Sequence, residues 1–288
     1  MLIGNWLADE YAMPYSVAKE MDVGSQVSVS LVDKIIERSL APADVKIYSE
    51  QGYLLVGRTL TDTGLDAMRK QCMHAWNAEK TQYDPDGTWL KNALMTNIHH
   101  GASIVRDFYF EGPIVDVACQ LIGPNIKGAT SQLTFKMRGN TQPFGWHQDN
   151  GYGELDPYNT ISTLTALDDA DEQNGCLWII PGSHRRGQID VSSHSVQAKS
   201  AQKAIELTVD EATAIPVPMR AGETLVFHCW TLHKSNGNLA QERDRRLLFL
   251  RYADADAVEV YNNRRPRLGR LLRGTSQFHE VREFEAAL

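Results

Sequence analysis

Several features that would assign this 288-residue chain to a special class are missing from its sequence. No run of apolar residues approaches the roughly 18 that a membrane-spanning helix needs. The start, Met1 to Trp6, lacks the basic residues and long apolar stretch of a secretion signal, so we expect a cytoplasmic protein. Acidic residues (36) outnumber basic ones (29), which argues against the basic surface that nucleic-acid binding requires. We therefore expect neither a membrane nor a nucleic acid as partner.

Closely spaced cysteines are missing as well. The nearest two of the four, Cys72 and Cys119, are 47 residues apart (119 minus 72). Zinc sites and redox motifs place their cysteines a few residues apart, so free thiols in a reducing compartment are the expectation. Internal repeats, heptads, a glycine-rich phosphate loop and a flexible linker are also lacking. What is present is a 42% hydrophobic composition, enough to bury a substantial core.

The first 124 residues carry mostly helical patterns, with apolar residues at helical spacing and Pro or Gly at the expected ends. We predict these elements, in chain order: a helix over 28–40 ended by Pro42, two short strands over 45–57 around Gly52, a helix capped by Thr61 or Asp62, a turn over 84–87, and helices over 102–110 and 113–121.

The pattern changes after residue 124 to short segments rich in β-branched and aromatic residues, separated by Gly, Pro, Asn and Asp. The predicted strands are 126–138, 159–167, 176–180, 213–218, 223–228 and 245–252. Repeated short strands favour a sandwich or barrel over alternating β-α-β units. We expect one domain over 1–288: a mostly helical flanking region over 1–124, a β-core over 125–255 that carries the metal site, and a C-terminal extension over 256–288.

The most informative segment is Trp146-His147-Gln148-Asp149. Side chains alternate between faces along a strand, so His147 and Asp149 point the same way. A second histidine would complete the two-His-one-carboxylate face that holds non-haem Fe(II) and leaves coordination positions open. The pair alone is weak evidence, because a hydrogen-bonded surface pair has the same pattern. His233 follows a strand-like segment 84 residues after Asp149 (233 minus 149), which suits a ligand from a distant strand.

Arg245 adds to this pattern, because it comes twelve residues after His233 and opens the apolar segment 245–252. An arginine that points into a barrel is costly to bury unless it meets an anion, and its planar fork suits a carboxylate.

From about Gly52 to Tyr252, the chain resembles the phytanoyl-CoA dioxygenase-like family of Fe(II)/2-oxoglutarate-dependent oxygenases. The resemblance rests on the order and number of several segments: Gly52-Tyr-Leu-Leu-Val56, Gln120-Leu-Ile-Gly-Pro124, Trp146-His-Gln-Asp149, Ala166-Leu-Asp-Asp-Ala170, Asn174 to His184, and His233-x-Ser-x-x-Asn238. It implies an α+β fold with a double-stranded β-helix core (jelly-roll, cupin-like) flanked by N-terminal helices.

The resemblance also implies roles for individual residues. His147, Asp149 and His233 would be the iron ligands and the catalytic centre. Arg245 would bind the distal carboxylate of 2-oxoglutarate, with Ser235 beside it and Gln132 lining the co-substrate pocket. The family's arginine commonly follows the second histidine by eleven residues, where this chain has Asp244, so Arg243 and Arg246 remain alternatives. The candidate substrate contacts are Asn150, Tyr152, Asn97, His99 and Arg138.

The implied activity is hydroxylation of an unactivated C–H bond of a small-molecule metabolite, coupled to decarboxylation of 2-oxoglutarate to succinate and CO2. Its requirements would be Fe(II), 2-oxoglutarate and O2, with ascorbate as an additional reductant. Asp149 argues against a halogenase, since related halogenases have Gly or Ala there. Desaturation, epoxidation and ring rearrangement stay open, as do a cupin-like metalloenzyme that does not use 2-oxoglutarate and a non-enzymatic sensor. The substrate and the oligomeric state are not specified by the sequence.

Overall fold

Two antiparallel sheets form the centre of the computed structural model, which describes residues 31–83, 93–149, 155–189, 196–198, 203–205 and 209–288. The strands are β1 Tyr53–Arg58, β2 Ala93–Thr96, β3 Ile126–Lys136, β4 Phe144–His147, β5 Leu155–Asp156, β6 Thr160–Ala166, β7 Leu177–Ile179, β8 Val196–Ala198, β9 Lys203–Ile205, β10 Ile215–Val217, β11 Glu223–His228, β12 His233–Ser235, β13 Arg245–Asp254, β14 Val258–Glu259, β15 Arg265–Pro266 and β16 Leu271–Arg273.

The larger sheet has the strand order β1-β11-β6-β13-β3-β16, and β2 also pairs with β3. The smaller sheet has the order β10-β7-β12-β4. Strands β1, β2 and β16 lie outside residues 125–255 and still join the larger sheet. The helical flank and the C-terminal segment therefore each contribute strands to the core.

Each strand of the larger sheet has one face toward the smaller sheet and one toward the helices. The apolar layer between the two sheets includes Leu164, Leu225, Phe227 and Leu247 of the larger sheet with Leu177, Ile179 and Val217 of the smaller one. This arrangement of two facing antiparallel sheets agrees with the double-stranded β-helix core that the resemblance implies. Because side chains alternate along a strand, residues next to these in sequence face the helices instead.

Helices cover the outer face of the larger sheet. They are α1 Pro42–Gln51, α2 Asp62–Tyr83, α3 Ile98–Gly101, α4 Ser103–Glu111, α5 Pro113–Ile122 and α6 His279–Glu283. Trp76 of α2 packs on Phe135 of β3 with ring centroids 4.5 Å apart, and Phe108 and Ile114 are fully buried in the same core. Within the described residues, no helix combines the length and apolar character needed to cross a bilayer.

Two predictions for the N-terminal region are wrong. In the described part of 28–40 there is only a short 3-10 helix, Leu31–Asp33, and Ile35 instead forms a bridge to Leu60. Residues 42–51 form a helix where the first of two strands was predicted. Pro42 begins this helix rather than ending one, because proline suits the first helical position. The predicted turn at 84–87 lies outside the described residues.

Gly52 is the residue that separates α1 from β1. It takes φ +79° and ψ 6°, the left-handed conformation that ends helices, and its N–H donates to the carbonyl of Tyr48. A Cβ on Gly52 would lie 2.3 Å from the His184 ring. The turn to β1 therefore requires glycine for both its conformation and its close packing.

Candidate functional site

His147 and His233 lie directly opposite each other on the neighbouring strands β4 and β12. Their ring centroids are 4.1 Å apart. Asp149 follows β4, and its Oδ1 lies 3.8 Å from Nε2 of His147 and 3.4 Å from Nε2 of His233. One ligand atom from each residue lies within 4.8 Å of the others. The structure therefore brings together the three side chains that the sequence predicts as ligands, at a spacing that suits an ion about 2 Å from each.

Both imidazoles are oriented in the same way by backbone carbonyls. Nδ1 of His147 is 2.8 Å from the carbonyl oxygen of Gly145, and Nδ1 of His233 is 2.9 Å from that of Thr231. Because a carbonyl oxygen only accepts hydrogen bonds, each Nδ1 carries the proton and donates it. The unprotonated Nε2 atoms then point toward Asp149, in the tautomer that metal-binding histidines use.

Asp149 is held by Ser162 of β6, whose hydroxyl donates to Oδ2 and leaves Oδ1 toward the histidines. Burial would raise the pKa of Asp149, but His233 and His147 outweigh it and hold that pKa well below its ordinary value. Burial, followed by the electrostatic interaction with His233, lowers the pKa of His147 to about 4. At neutral pH the site thus holds a neutral His147 beside a carboxylate, and these are the protonation states that a divalent cation needs.

Arg245 points into the space between the sheets from the first position of β13, with 4% of its surface exposed. Its Nη1 donates to the carbonyl of Gly175 at 2.7 Å, whereas its Nε has no hydrogen-bond partner among the described residues. Within the described ranges, no carboxylate forms an ion pair with it, and burial lowers its pKa to about 10. A buried guanidinium in this state is complementary to a carboxylate ligand.

The two alternative arginines are already paired with carboxylates. Arg243 contacts Asp171 at 2.5 and 3.1 Å and is partly exposed. Arg246 forms two bonds of 2.7 Å with Asp168 on the outer side of the strand. Of the three arginines at the start of β13, only Arg245 is therefore both buried and without an acidic partner among the described residues.

Ser235 and Gln132 lie on the two sheets that enclose this region. Ser235 is buried, two residues after His233 on β12. Gln132 is half-buried on β3, opposite Phe249 of β13. Their role beside 2-oxoglutarate remains a prediction.

Two residues that contribute to the site were missed by sequence reasoning. One is Ser162, the donor to Asp149. The other is Lys136, which lies opposite Arg245 in the strand register and is fully buried. Its ammonium donates to the carbonyls of Ser235 and Asn236 at 3.0 and 2.5 Å. Burial, and then the charge of Arg245, hold its pKa well below the ordinary value. The sequence does contain one indication for Lys136. It lies four residues after Gln132 on β3, so both side chains are on the same face of the strand.

The predicted substrate contacts are dispersed. Arg138 is exposed and forms a bidentate pair with Asp244, with bonds of 3.0 and 2.9 Å. Asn97 is exposed at the start of α3, and His99 of that helix is buried on the helical side of the larger sheet. Asn150 and Tyr152 lie outside the described residues. The role of these five residues in substrate binding remains a prediction.

Comparison with known proteins assigns this arrangement to a family. Residues 48–247 match the model of the family described as phytanoyl-CoA dioxygenase. A methylphosphonate hydroxylase from Gimesia maris is 25% identical over 235 residues, which are 77% of this chain and 85% of that protein. A protein from Stutzerimonas stutzeri, named a probable alpha-ketoglutarate-dependent hypophosphite dioxygenase, is 32% identical over 154 residues, which are 50% of this chain and 51% of that protein.

Solved structures agree on the fold. The non-haem, alpha-ketoglutarate-dependent carbocyclase SnoK of nogalamycin biosynthesis superimposes with a TM-score of 0.63 at 24% identity, covering 82% of this chain and 95% of SnoK. This likeness supports the double-stranded β-helix architecture.

Proposed function

The chain belongs to the phytanoyl-CoA dioxygenase family of Fe(II)/2-oxoglutarate-dependent oxygenases, and from that membership we propose that it hydroxylates an unactivated C–H bond of a small polar metabolite. The observation that carries the proposal is the pairing of two features inside one barrel. One is a His-His-Asp cluster with its Nε2 and carboxylate atoms turned inward. The other is a buried arginine without an acidic partner among the described residues.

The proposed roles of the residues follow from their surroundings. His147, Asp149 and His233 would hold Fe(II), and Ser162 would keep the Asp149 carboxylate turned toward the two imidazoles. Arg245 would bind the distal carboxylate of 2-oxoglutarate. When bound, ferrous iron and 2-oxoglutarate supply the oxidising chemistry, in which O2 oxidises the substrate while 2-oxoglutarate becomes succinate and CO2.

The barrel also supplies charge and exclusion of water. Ser235 and Gln132 would complete the co-substrate pocket between the two sheets. Lys136 is anchored to backbone carbonyls beside Arg245, at the end of the barrel where the dicarboxylate would lie. Apolar side chains between the sheets keep this region dry, which strengthens the electrostatic contacts inside it.

A small polar substrate is favoured over a CoA thioester. The net charge of -7 does not favour binding of a strongly anionic CoA moiety. Arg251 lies on the same face of β13 as Arg245, and its charge contributes to the low pKa of Asp149. A cationic group beside the metal cluster suits a substrate with an anionic or strongly polar group. The names of two relatives, a methylphosphonate hydroxylase and a hypophosphite dioxygenase, fit this preference.

The test is succinate formation by the purified protein with Fe(II), ascorbate, O2 and 2-oxoglutarate, with and without small polar candidate substrates. Succinate formation stimulated by a substrate, with a product heavier by one oxygen atom, is the expected result. A product that has lost two hydrogens would indicate desaturation on the same site. Metal binding without any effect of 2-oxoglutarate on thermal stability would instead support a cupin-like enzyme and refute the proposal.

We also propose that the protein works in the cytoplasm. The four cysteines are free, and three of them (Cys72, Cys176 and Cys229) are buried. Burial raises the pKa of Cys72 and of Cys229 to about 12. Thiols in that state are inert and are typical of a reducing compartment.

A further inference from the structure

A second cluster of metal-binding side chains lies on the helical side of the larger sheet. His99 and His100 of α3 both turn their Nε2 atoms toward Glu285, which follows α6 near the C-terminus. Nε2 of His100 is 2.7 Å from Oε1, and Nε2 of His99 is 3.4 and 3.3 Å from Oε1 and Oε2. We propose that His99, His100 and Glu285 form a Zn²⁺ site that fastens the C-terminal segment to α3.

The spacing between His99 and Glu285 is what a tetrahedral ion requires. Ligands about 2.0–2.1 Å from Zn²⁺ in tetrahedral geometry lie roughly 3.3 Å from one another. The distances between His99 and Glu285 already have that value. The His100 ring lies 4.2 Å from the His99 ring and needs only a small displacement from its bond to the carboxylate. Two imidazole nitrogens and one carboxylate form a common zinc ligand set, with a water as the fourth ligand.

A buried hydroxyl supports His99, the most buried residue of this cluster. Ser131 of β3 is fully buried, and its Oγ lies 2.6 Å from Nδ1 of His99. When Nδ1 donates to this oxygen, the lone pair of Nε2 is free to bind an ion. Metal-binding histidines are usually held by such a partner on the other ring nitrogen. The His99 ring is further fixed by edge contacts with Tyr109 and Phe110.

The carboxylate is also held in place. Arg270 donates to the backbone carbonyls of Glu285 and Leu288 at 2.6 Å each, and its guanidinium lies 4.9 Å over the Phe110 ring. The Glu285 side chain is only 10% exposed, whereas the neighbouring Glu283 is exposed and has no contact with the histidines. Burial would raise the pKa of Glu285, but the two histidines outweigh it and lower that pKa to about 2. The carboxylate is therefore ionised and pre-positioned at neutral pH.

This site is separate from the proposed iron site. Ser131 and Gln132 are consecutive residues of β3 and point to opposite faces of the sheet. Ser131 faces the helices with His99, and Gln132 faces the interior of the barrel. A metal between His99, His100 and Glu285 would link segments 185 residues apart (285 minus 100) and would not contact the co-substrate.

The experiment uses the full chain with His147→Ala and His233→Ala, which remove two of the three proposed iron ligands. Zn²⁺ is added, excess metal is removed by gel filtration, and bound zinc is measured. Co²⁺ is titrated in parallel, because tetrahedral Co²⁺ absorbs strongly in the visible range. We expect one equivalent of Zn²⁺ and a tetrahedral Co²⁺ spectrum. Adding Glu285→Gln should weaken binding at least 100-fold, whereas adding Glu283→Gln should leave it unchanged.

The outcomes are decisive in both directions. Absence of stoichiometric metal in the double variant, or equal binding after Glu285→Gln, would overturn the proposal. Circular dichroism establishes that each variant is folded. If Glu285→Gln does not fold, His100→Gln takes its place, because the His100 side chain is 30% exposed and tolerates substitution more easily. Loss of the Co²⁺ spectrum in that variant supports the site, and its retention refutes it.

Discussion

Replacing Arg245 with methionine should raise the thermal stability of the free protein and weaken its binding of 2-oxoglutarate. Burial lowers the pKa of this guanidinium from 12.5 to about 10, although the more distant Asp168 opposes that change, and no acid among the described residues forms an ion pair with Arg245. A shift of that size corresponds to about 3 kcal/mol of unfavourable burial. Arg245→Met keeps an unbranched side chain over the length of the arginine stem and removes the charged guanidinium. It also removes the donor to the Gly175 carbonyl, which costs about 1 kcal/mol.

The net expectation is a free protein stabilised by about 2 kcal/mol, or a Tm higher by about 4 °C at roughly 2 °C per kcal/mol. Binding of 2-oxoglutarate should change in the other direction. Truncating one partner of a buried, hydrogen-bonded charge pair costs about 2–5 kcal/mol, which corresponds to an affinity about 30- to 4,000-fold weaker. The KM for 2-oxoglutarate should rise accordingly.

Thermal unfolding is measured under anaerobic conditions with Fe(II), with and without 2-oxoglutarate. Arg243→Met is the matched control, since Arg243 is partly exposed and paired with Asp171. It should leave the 2-oxoglutarate effect intact. The reasoning is refuted if Arg245→Met lowers the Tm of the free protein and retains the stabilisation by 2-oxoglutarate. It is equally refuted if Arg243→Met is the variant that loses that stabilisation.

Three further outcomes test other parts of the structure. His147→Ala should abolish turnover while the circular dichroism spectrum stays unchanged, and full activity would contradict its assignment as a ligand. Ser162→Ala should weaken Fe(II) binding about 10- to 100-fold in a metal titration, because Asp149 loses the donor that orients it. Lys127 is fully buried, and burial lowers its pKa from 10.5 to about 8. Between pH 8 and 10.5 the unfolded chain binds more protons there, so the free energy of unfolding should rise with pH by up to about 3 kcal/mol. That rise should be absent from Lys127→Met in urea titrations across this range.

Local patterns were enough to predict helices whose ends and faces have clear signals. The helix predicted over 102–110 is α4, and the one predicted over 113–121 is α5. Pro113 at the start and Gly123 at the end of α5 left little ambiguity. The expectation that His147 and Asp149 point to the same site is also confirmed, although β4 ends at His147 and Asp149 lies just beyond the strand.

The region around Pro42 was mispredicted because two opposing signals compete there. Proline ends a helix that precedes it and favours the first turn of one that follows it. In the structure the second role prevails, since the Asp44 carboxylate accepts the N–H of Ala41 and caps the new helix. The β-branched and aromatic residues of 45–51 suggested a strand, but only Tyr48 of this helix is buried in the core. Packing against the rest of the protein decided the outcome, and a single sequence does not contain that information.

Residues that support the site were harder to predict because their partners are distant in the sequence. Ser162 lies in a strand that contains both hydroxyl-bearing and apolar residues, and nothing near it in the sequence suggests a bond to Asp149. Lys136 resembles an ordinary surface lysine until the backbone of Ser235 and Asn236 folds around it. Such contacts arise from strand order, and strand order is not encoded within any one segment.

The arginines near the start of β13 show how the surroundings select one residue from a cluster of similar ones. The segment Arg243-Asp244-Arg245-Arg246 has three candidate guanidiniums, and counting from His233 does not separate them. Each flanking charge in the structure has an opposite partner at the protein's periphery: Arg243 with Asp171, Asp244 with Arg138, and Arg246 with Asp168. These three pairs hold the ends of the segment outside the barrel and fix the direction in which the remaining arginine points. Arg245, which has no acidic partner among the described residues, is thus positioned by ion pairs of its neighbours that would not contact the co-substrate. Replacing Asp168 or Asp171 should consequently weaken 2-oxoglutarate binding less than replacing Arg245. The effect of either aspartate would be indirect, because it changes only how β13 is positioned.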